Sequence, residues 1–257
     1  MSSPGGGSSG VTAVIAAHDE SANIEACIAS VDWAGEVIVV ENDSTDDTID
    51  RAKRAGATVI SPPFTTIGSA RNQAIVRANT PWILVLDADE RCTPELASEV
   101  QKTIATTDVQ AFRIPRRNFF LGKEIRHGGW ESDKPVRLFR RELRYNANLV
   151  HEHVDVPGGA LTEETSAALL HFTYRSLDQY FEKFDRYSRW WAEQNYAKGR
   201  RGSAAQVFIK PPARFVSMYL FRRGFLDGAH GLLLSCLAAA SVMAKYARLW
   251  EKSLDYR

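Results

Sequence analysis

The sequence has few of the features that mark several common protein classes. Cysteine occurs only three times in 257 residues, at Cys27, Cys92 and Cys236, without the spacing of a zinc site or a disulfide framework. Such scarcity is typical of a protein in a reducing compartment. No stretch supplies about 18 uncharged apolar residues in a row, so the sequence predicts no clear membrane span. The glycine-rich motifs of dinucleotide-binding folds and P-loops are also missing, which argues against both functions.

An excess of charge of either sign is missing as well. The chain carries 32 lysine and arginine residues against 31 aspartate and glutamate residues, a formal net charge of +1. Bulk charge therefore predicts no nucleic-acid partner. The composition, 44% hydrophobic and 25% charged, is that of an ordinary globular protein. Residues 1–10 are rich in serine and glycine and lack the pattern of a signal peptide, so we expect them to be disordered.

Apolar runs typical of strands alternate with helical patterns across the first hundred or so residues. Four strands are predicted, at 11–17, 36–40, 57–60 and 82–86, with amphipathic helices between them. After the fourth strand, Thr93-Pro94-Glu95 predicts the start of another helix, with Thr93 as its N-cap. This alternation predicts right-handed βαβ units and a mainly parallel sheet flanked by helices. We therefore expect an α/β fold with a Rossmann-like sheet.

The predicted strand at 82–86 ends in an acidic tip, Asp87-Ala88-Asp89-Glu90. Ligands of open α/β sheets bind outside the carboxyl ends of the strands. Residues two apart on a strand point to the same side, so Asp87 and Asp89 are expected to converge. Two adjacent carboxylates repel each other unless a positive group lies between them. The tip therefore predicts a site for Mg²⁺ or Mn²⁺, which prefer oxygen ligands, although an acidic loop has the same composition.

The second half of the chain is richer in basic and aromatic residues. Residues 113–144 hold ten arginine and lysine residues against four acidic ones, which predicts either a basic surface for an anionic acceptor or a solvated face. A capping box at Ser176–Gln179 predicts the start of a long helix. Residues 199–223 carry six basic residues and no acidic one among aromatic and aliphatic side chains. Such a segment is typical of binding to an anionic membrane surface, or of helices that pack on the domain.

Four stretches of the first half resemble motifs of the family 2 glycosyltransferases, which have the GT-A fold. They are Val14-Ile-Ala-Ala-His-Asp-Glu20, Val39-Val-Glu-Asn-Asp-Ser-Thr-Asp46, Gly68-Ser-Ala-Arg-Asn72 and Leu86-Asp-Ala-Asp-Glu90. Each is weak alone, but their order and their places at strand ends make the set specific. The chain departs from the family pattern at Ala16, His18 and Glu41, and these departures bear on recognition of the base.

Further stretches resemble a subgroup that includes lipopolysaccharide-core β-glucosyltransferases. They are Gly129-Trp130, Arg137-Leu-Phe139, Val150-His-Glu152, His171-Phe-Thr-Tyr-Arg-Ser176 and Gly224-Phe-Leu-Asp-Gly228. The resemblance covers nearly everything after Gly10. It implies a GT-A catalytic domain at 11–175, with a nucleotide-sugar half at 11–110 and an acceptor half at 111–175. A C-terminal helical, membrane-associating region is expected at 176–257.

By this resemblance the protein is expected to be a metal-dependent, inverting hexosyltransferase. It would move glucose from UDP-glucose to a hydroxyl of a lipopolysaccharide core or another glycolipid or glycan. Two alternatives stay open: transfer to a polyprenyl phosphate, as in dolichyl-phosphate mannose synthase-like proteins, and a sugar-nucleotide-binding membrane scaffold without turnover. We expect a cytoplasmic protein that is peripheral at the cytoplasmic face of the inner membrane.

The resemblance also implies which residues hold the divalent cation. Asp89 is expected to be a direct ligand, while Asp87 holds the ribose hydroxyls or a metal-bound water. His171 is a candidate third ligand, although a histidine in such apolar surroundings is more often a core residue.

An inverting transfer needs a general base to take the proton of the acceptor hydroxyl. Glu152 is the first candidate, because it lies between two histidines in an apolar run. Asp133 follows, and Glu131 is a distant third.

The remaining predicted site residues bind the nucleotide-sugar by resemblance. Ala16, Ala17 and Glu20 are expected to cradle the base and ribose. Glu41 and Asn42 contact the base edge or simply form a turn and helix cap. Arg71 and Arg137 pair with the base or with phosphate. The set is Ala16, Ala17, Glu20, Glu41, Asn42, Arg71, Asp87, Ala88, Asp89 and Arg137.

Overall fold

The structure is a computed structural model, and it describes residues 9–63, 66–146, 152–158 and 161–254. Most of the segment that the sequence predicts to be disordered, residues 1–8, lies outside the described residues. The strands are β1 Val11–Ala17, β2 Glu36–Glu41, β3 Thr58–Ile60, β4 Trp82–Asp87, β5 Glu90–Cys92, β6 Ala111–Arg113, β7 Arg116–Phe120, β8 Lys123–Ile125, β9 Val136–Arg140, β10 Arg144–Tyr145, β11 Val154–Asp155, β12 Thr162–Glu164 and β13 Leu169–Tyr174. The α-helices are α1 Ile24–Ala29, α2 Thr48–Arg54, α3 Ile67–Arg77, α4 Pro94–Thr103, α5 Leu177–Ala197, α6 Ala204–Val216 and α7 Gly228–Ser253.

The chain forms two compact units. The first comprises the residues up to Arg116 together with Lys134–His171, and the second comprises Arg117–Asp133 together with the chain from Phe172 onwards. The boundary predicted at 175 lies near the point where the second unit resumes. The placement of 117–133 in the second unit was not predicted, because its basic and aromatic composition gives no boundary signal.

A seven-stranded sheet forms the first unit, with the strand order β12-β6-β9-β4-β1-β2-β3. Four of its six pairings are parallel: β1 with β2, β1 with β4, β2 with β3 and β6 with β12. Strand β9 is antiparallel to both of its neighbours, β4 and β6. The expected α/β fold with a mainly parallel sheet is therefore confirmed.

The central strands β1 and β4 are apolar on both faces, as strands covered by helices on both sides usually are. Every side chain from Val11 to Ile15 and from Trp82 to Leu86 is buried. One face of the sheet packs against Ile24 and Leu96, on α1 and α4, and the other packs against α3. These two apolar layers fix the ends of β1 and β4, where the acidic tip begins.

Two predicted helix starts are found at the expected residues. The Thr93 side chain accepts the backbone N–H of Leu96 at 3.2 Å and begins α4. The Ser176 side chain accepts the backbone N–H of Gln179 at 3.2 Å and begins α5. Each cap satisfies one of the donors that the first turn of a helix leaves without a partner.

The second unit combines the antiparallel β7–β8 hairpin with the helices α5, α6 and α7. A π-helical turn, Ser217–Phe221, and a short 3-10 helix, Gly224–Asp227, connect α6 to α7. The buried apolar core of the unit is formed by Phe120, Ile125, Tyr180, Met218, Leu234 and Leu237.

The segment Gly224–Ser253 is long and apolar enough to cross a membrane, judged by length and composition alone. The sequence prediction of no clear span rests on the lack of an uninterrupted run of uncharged residues, whereas this criterion tolerates a few charged residues in an apolar window. The absence of a span therefore stays a prediction. One such helix is weak support for a span, since helices of soluble proteins can have the same composition.

Candidate functional site

The carboxyl ends of three neighbouring strands meet at one edge of the seven-stranded sheet. In the register of the sheet, Ala17 of β1 lies opposite Glu41 of β2, and Ala16 lies opposite Asp87 of β4. Strand β2 follows on one side of β1 and β4 on the other, so the order of the strands reverses at this point. Ligands of open α/β sheets bind in the crevice at such a reversal.

Three guanidinium groups surround the carboxylate of Asp87. Arg71 from α3 pairs with Oδ1, and Arg137 from β9 pairs with Oδ2. The Nη2 atom of Arg116, at the start of β7, lies 3.1 Å from Oδ2. All three arginine side chains are nearly buried, while a third of the Asp87 side chain is exposed. The sequence predicts a positive group beside the Asp87 carboxylate. In the structure, three arginine side chains supply this positive charge.

These guanidinium groups keep Asp87 ionised. Removal from water disfavours the charged carboxylate, but the attraction of Arg137, Arg71 and Arg116 outweighs this effect and holds the pKa of Asp87 well below its usual range. For Arg137, burial again opposes the charge, and the carboxylates of Asp87 and Glu90 raise the pKa of its guanidinium group well above the usual value.

Glu90 holds the same arginines from the protein side. Its carboxylate is completely buried, lies 2.5 Å from Nη2 of Arg116 and 3.2 Å from Nη2 of Arg137, and accepts the backbone N–H of Asp87 at 2.8 Å. A buried charge is tolerated when it is paired and hydrogen-bonded, and Glu90 meets both conditions. It thereby fixes the position of the strand end and of two guanidinium groups.

Two of these arginines keep hydrogen-bonding capacity. The Nε atoms of Arg71 and Arg137 are buried and meet no acceptor in the part of the chain that the structure describes. A buried donor without an acceptor costs about 1–3 kcal/mol and is rare in folded proteins. A phosphate or carboxylate oxygen that entered the crevice would be a suitable acceptor for such donors.

Arg71 also joins the first candidate base to this cluster. Its Nη1 atom lies 3.1 Å from Oε1 of Glu152, and its guanidinium carbon lies 5.2 Å from the centre of the Tyr145 ring. The side chain of Asn72 bonds the backbone of Tyr145 in both directions, at 2.8 and 2.9 Å. The predicted Gly68–Asn72 motif thus connects α3 to β10. Residues 147–151, which form most of the apolar run before Glu152, lie outside the described residues.

Asp89 and His171 lie together beside the arginine cluster. Strand β13 pairs antiparallel with β5, which places His171 opposite Glu90. The Nε2 atom of His171 is then 3.7 Å from Oδ1 of Asp89, and both side chains are largely buried. A carboxylate suits both Mn²⁺ and Mg²⁺, and an imidazole beside it suits a transition metal such as Mn²⁺ better than Mg²⁺.

Within the described ranges, no group of three or more acidic, histidine or cysteine side chains is arranged to hold an ion. The Asp89–His171 pair fits a cation whose other ligands come from the substrate and water, as Mg²⁺ sites often do. Asp87 was also predicted as a ligand, and this role stays a prediction, because its carboxylate oxygens contact guanidinium groups.

The predicted nucleotide-binding residues lie at the ends of β1 and β2. The carbonyl oxygens of Ala16 and Ala17 accept the N–H groups of Ala88, at 3.2 Å, and Asn42, at 3.1 Å. The Asn42 carbonyl also accepts a bond from the ring of His18. These contacts join the first strand end to the acidic tip and to the loop after β2.

Glu41 and Glu20 hold the same loops in place. Glu41 is buried, and its carboxylate accepts the N–H of Ser44 and the hydroxyl of Ser61, the latter at 2.9 Å. The backbone N–H of Glu20 donates to the hydroxyl of Thr48 at 2.8 Å. In this structure the segment after β2 forms a turn with Asp43 at φ 50°, whereas α2 has no side-chain cap bond at its N-cap residue, Asp47. Contact of this segment with a base stays a prediction.

The other two candidate bases lie in the second unit. Asp133 is the last residue of its segment 117–133, and the Glu131 carboxylate accepts the N–H of Gly129 at 2.8 Å. Glu152 is the candidate base that the structure joins to the Asp87 cluster through Arg71 within the first unit, and the roles of the other two stay predictions.

Two of the ten basic residues of 113–144 are nearly buried and cannot belong to the predicted basic surface, which stays a prediction for the other eight. Arg116 and Arg137 are withdrawn into the cluster around Asp87. Arg117 and Arg126 both pair with Glu124, at 2.9 and 3.0 Å. The segment does have an excess of basic residues, but the sequence does not show which of its arginines have buried carboxylate partners.

Glu90 and Arg116 are the site residues that sequence reasoning missed. Glu90 directly follows the Asp-Ala-Asp tip, and this adjacency was the available signal. Arg116 begins a strand within the basic segment, and nothing in the sequence distinguishes it from its exposed neighbour Arg117.

A family model described as Glycosyl transferase family 2 matches residues 12–167. The lipopolysaccharide core biosynthesis glycosyltransferase LpsC of Rhizobium meliloti is 27% identical, over 95% of this chain and 96% of LpsC. An uncharacterized glycosyltransferase of Rickettsia typhi is 27% identical, over 96% of this chain and 89% of its own length. Among solved structures, glucosyl-3-phosphoglycerate synthase from Mycobacterium tuberculosis, in complex with Mn²⁺, uridine diphosphate and glucosyl-3-phosphoglycerate, is 20% identical with a TM-score of 0.46, covering 66% of this chain and 74% of that chain. A likeness at this TM-score carries no conclusion about function. The family model, in contrast, matches more than half of the sequence, and the protein therefore belongs to glycosyl transferase family 2, as its motifs predict.

Proposed function

We propose that the protein transfers glucose from UDP-glucose, with inversion, to a hydroxyl group of a lipid-borne glycan such as a lipopolysaccharide core. The observation that carries this proposal is the cluster of three nearly buried arginines around Asp87, at the carboxyl ends of the central strands. The family 2 match supports the transferase chemistry. The name of the LpsC relative, which covers nearly the whole chain, supports the acceptor class.

The arginine cluster suits a leaving group that carries two phosphates. Departure of a nucleoside diphosphate places negative charge on phosphate oxygens, and fixed positive groups that face this charge lower the barrier. The buried Nε donors of Arg71 and Arg137 are available for such oxygens. Because Glu90 already holds Arg116 and Arg137 in place, little reorganisation is needed when the charge develops.

Asp89 and His171 are the residues that would hold a divalent cation. Their oxygen and nitrogen donors are 3.7 Å apart and suit Mn²⁺ better than Mg²⁺. A bound cation would act as a Lewis acid that stabilises the diphosphate leaving group. Asp87, whose carboxylate stays ionised and whose side chain is one third exposed, would receive hydrogen bonds from the ribose hydroxyls.

Glu152 is the proposed general base. Its carboxylate lies 3.1 Å from Arg71 and its side chain is partly exposed, so an acceptor hydroxyl has access to it. The bond to Arg71 orients the carboxylate at the edge of the donor site. Proton removal by Glu152 would then accompany attack of the hydroxyl on the sugar carbon.

We also propose that the protein works at the cytoplasmic face of the inner membrane as a peripheral protein. A lipid-borne acceptor requires contact with the bilayer, and nucleotide-sugars are cytoplasmic substrates. The long apolar segment Gly224–Ser253 and the name of the LpsC relative support a membrane-associated location.

Thermal unfolding with a panel of nucleotide-sugars, each with and without Mn²⁺, tests the donor. UDP-glucose with Mn²⁺ is expected to raise the unfolding temperature most, because a ligand of the folded state stabilises it by mass action. Radiolabelled UDP-glucose and lipid extracts then test the acceptor. A glucosylated glycolipid supports the proposal, a polyprenyl-phosphate glucose would assign another acceptor, and no effect from any nucleotide-sugar would refute it.

A further inference from the structure

The second unit exposes an unusual amount of apolar surface in one stretch of chain. On α6, the side chains of Phe208 and Ile209 are 72% and 65% exposed. In the π-helical turn that follows, Leu220 and Phe221 are 52% and 82% exposed. Large apolar residues that lie singly on a surface are normal, but several of them in one stretch of chain mark a candidate interaction site.

The exposed residues follow the period of a helix. Ala205, Phe208, Ile209, Pro212 and Val216 are all exposed and are spaced by three or four residues. They therefore lie on one side of α6, while Val207 and Pro211 are buried on the other. This arrangement gives α6 one apolar face that packs within the unit and a second apolar face that does not.

The turn between α6 and α7 extends the same kind of surface. Phe225 and Leu226, in the 3-10 helix before α7, are about half exposed. Residues 205–226 thus present apolar side chains from α6, from the π-helical turn and from the 3-10 helix. We call these side chains the apolar strip: Phe208, Ile209, Leu220, Phe221, Phe225 and Leu226.

Basic side chains accompany the strip, and acidic ones do not. Residues 199–226 contain six lysine and arginine residues and no aspartate or glutamate. No ion pair with a carboxylate involves Lys210, Arg214, Arg222 or Arg223 in the described part of the chain. The next acidic residue, Asp227, is buried and bonded to the backbone of residues 126 and 127.

We propose that the apolar strip, with Lys210, Arg222 and Arg223, docks the protein onto the interface of an anionic phospholipid bilayer. Exposed aromatic and aliphatic side chains would enter the boundary between headgroups and acyl chains, and the unpaired basic groups would contact lipid phosphates. A soluble protein partner would need acidic groups to match this charge, whereas the surface of an anionic bilayer supplies them everywhere. This proposal deepens the membrane part of the proposed function and rests on it.

Surface docking is favoured over insertion of α7 across the bilayer. The C-terminal half of α7 is tied to α5 within the same unit: Arg248 pairs with Asp185, and the Tyr246 and Trp191 rings lie 5.1 Å apart. Near the end of α7, the Ser253 hydroxyl accepts the N–H of Gly202 at 2.9 Å. A spanning α7 would have to give up these contacts, while the apolar strip is exposed without any rearrangement.

The segment that carries the apolar strip contacts the loop that carries Glu131 and Asp133, so docking would bring the membrane surface close to this loop. The carbonyl of Arg222 accepts the N–H of Gly128 at 2.8 Å. The side chain of Met218 packs against Gly128, and the side chain of Arg222 packs against Gly129. Both glycines have positive φ, 76° and 91°, which side chains at these positions would strain. The strip and this loop therefore form one connected structure in the second unit.

Sedimentation of the full-length protein with vesicles tests the proposal. Vesicles of phosphatidylglycerol and phosphatidylcholine are expected to bind the protein at low salt, and vesicles of phosphatidylcholine alone are expected to bind it much more weakly. Half a molar NaCl should weaken binding to the anionic vesicles because the screening length falls to a few ångströms.

Two double variants separate the apolar and the basic contributions. Phe208→Ser with Phe221→Ser is expected to lower the partition coefficient at least tenfold at any salt concentration, because two aromatic rings no longer leave water. Lys210→Gln with Arg223→Gln is expected to lower it about 20-fold at low salt and little at high salt. The matched controls lie in the first unit: Val76→Ser, an exposed apolar residue of α3, and Lys53→Gln with Arg54→Gln on α2.

Several outcomes would overturn the proposal. Anionic vesicles that bind all variants as well as the parent protein would exclude the strip, even if UDP-glucose binding and turnover are intact. Protein that stays with membranes after alkaline carbonate extraction would indicate insertion of α7. If the phenylalanine variant changes only the sedimentation coefficient of the free protein, the strip is a contact between copies of the chain. Loss of donor binding with intact vesicle binding would refute the proposed reaction and leave the docking surface standing.

Discussion

Glu90 accepts the backbone N–H of Asp87 at 2.8 Å, and its carboxylate is completely buried. The same carboxylate lies 2.5 Å from Arg116 and 3.2 Å from Arg137, both of which also contact the side chain of Asp87. The end of β4 is therefore fixed through its backbone, and the charged groups around it are fixed through their side chains. A single buried carboxylate connects the sheet to the candidate site.

Glu90→Gln is expected to lower the free energy of unfolding by about 3–5 kcal/mol, because two nearly buried guanidinium groups each lose one of their two carboxylate partners. The amide keeps the shape and an oxygen acceptor for the Asp87 N–H, so the loss reports on charge. Urea unfolding followed by circular dichroism measures it. Glu124→Gln is the control, since Glu124 pairs with Arg117 and Arg126 on the surface and should cost under about 1 kcal/mol. Equal losses for the two variants would contradict a special role for Glu90.

The protein is expected to lose stability in acid, partly because the carboxylate of Asp87 becomes protonated. Its pKa in the folded protein is held below the value of 3.8 that applies to the unfolded chain, mainly by Arg137 and Arg71 against the opposing effect of burial. The carboxylate therefore contributes its full stabilisation above about pH 4–5, and this contribution is lost as pH falls further through the acid range.

Thermal unfolding of the parent protein and of Asp87→Asn between pH 7 and pH 3 measures this contribution. The variant is expected to unfold at a lower temperature at neutral pH, and the difference is expected to shrink as the pH falls below 4. A difference that stays constant across this range would mean that folding does not lower the pKa of Asp87. Asp47→Asn, which removes an exposed carboxylate paired with Arg51, is the matched control.

The sequence predicted the parts of the fold that depend on local pattern. The continuous apolar runs of β1 and β4 and the caps at Thr93 and Ser176 use signals that lie within a few residues of each other. The alternation of strands and helices then predicted a mainly parallel sheet, because right-handed crossovers leave few other arrangements.

The sequence could not predict pairings between distant residues. Arg116 and Arg117 are neighbours of the same type, yet one meets Glu90 and Asp87 while the other meets Glu124. The inward orientation of Arg116 depends on the pleat of β7 and on its partners Glu90 and Asp87, which are 26 and 29 residues away in the chain. For the same reason, the expected metal between Asp87 and Asp89 gave no hint that three arginines would neutralise Asp87.

Glu152→Gln is expected to lower kcat at least a hundredfold with little change in donor affinity, because a general base contributes about 10²–10⁴ to the rate. Turnover with a lipid acceptor and calorimetry with UDP separate the two effects. Asp133→Asn is the companion variant, and a loss confined to it would move the base role to the second unit. If Glu152 only orients Arg71, Glu152→Gln will weaken UDP binding as much as it slows turnover.

Asp89→Asn and His171→Gln are each expected to raise the Mn²⁺ concentration for half-maximal activity at least tenfold, because each removes one of two protein ligands. Binding of Mn²⁺ in the presence of UDP, followed by electron paramagnetic resonance, provides a readout that does not require turnover. His153→Gln, a change at an exposed histidine near Asp155, is the control. Unchanged Mn²⁺ binding in both test variants would remove this pair from the metal site.

Asp227 connects two motifs of the second unit that are about a hundred residues apart in the chain. Its buried carboxylate accepts the backbone N–H groups of Arg126, at 3.2 Å, and His127, at 2.9 Å. Asp227→Ala would leave both donors without an acceptor and is expected to lower the stability of the unit by about 2–6 kcal/mol, at roughly 1–3 kcal/mol for each lost partner.

Amide hydrogen exchange gives the sharper test of this connection, because it reports on the loop itself. In Asp227→Ala the amides at 126–130 are expected to exchange at least tenfold faster, while those of β1 and β4 stay protected. Asp185→Ala is the matched control, since it removes a carboxylate that pairs with Arg189 and Arg248 at the surface of α5 and should leave the loop unchanged. If exchange in the loop is the same in both variants, other contacts hold it, and Asp227 has no part in positioning the segment that carries Glu131 and Asp133.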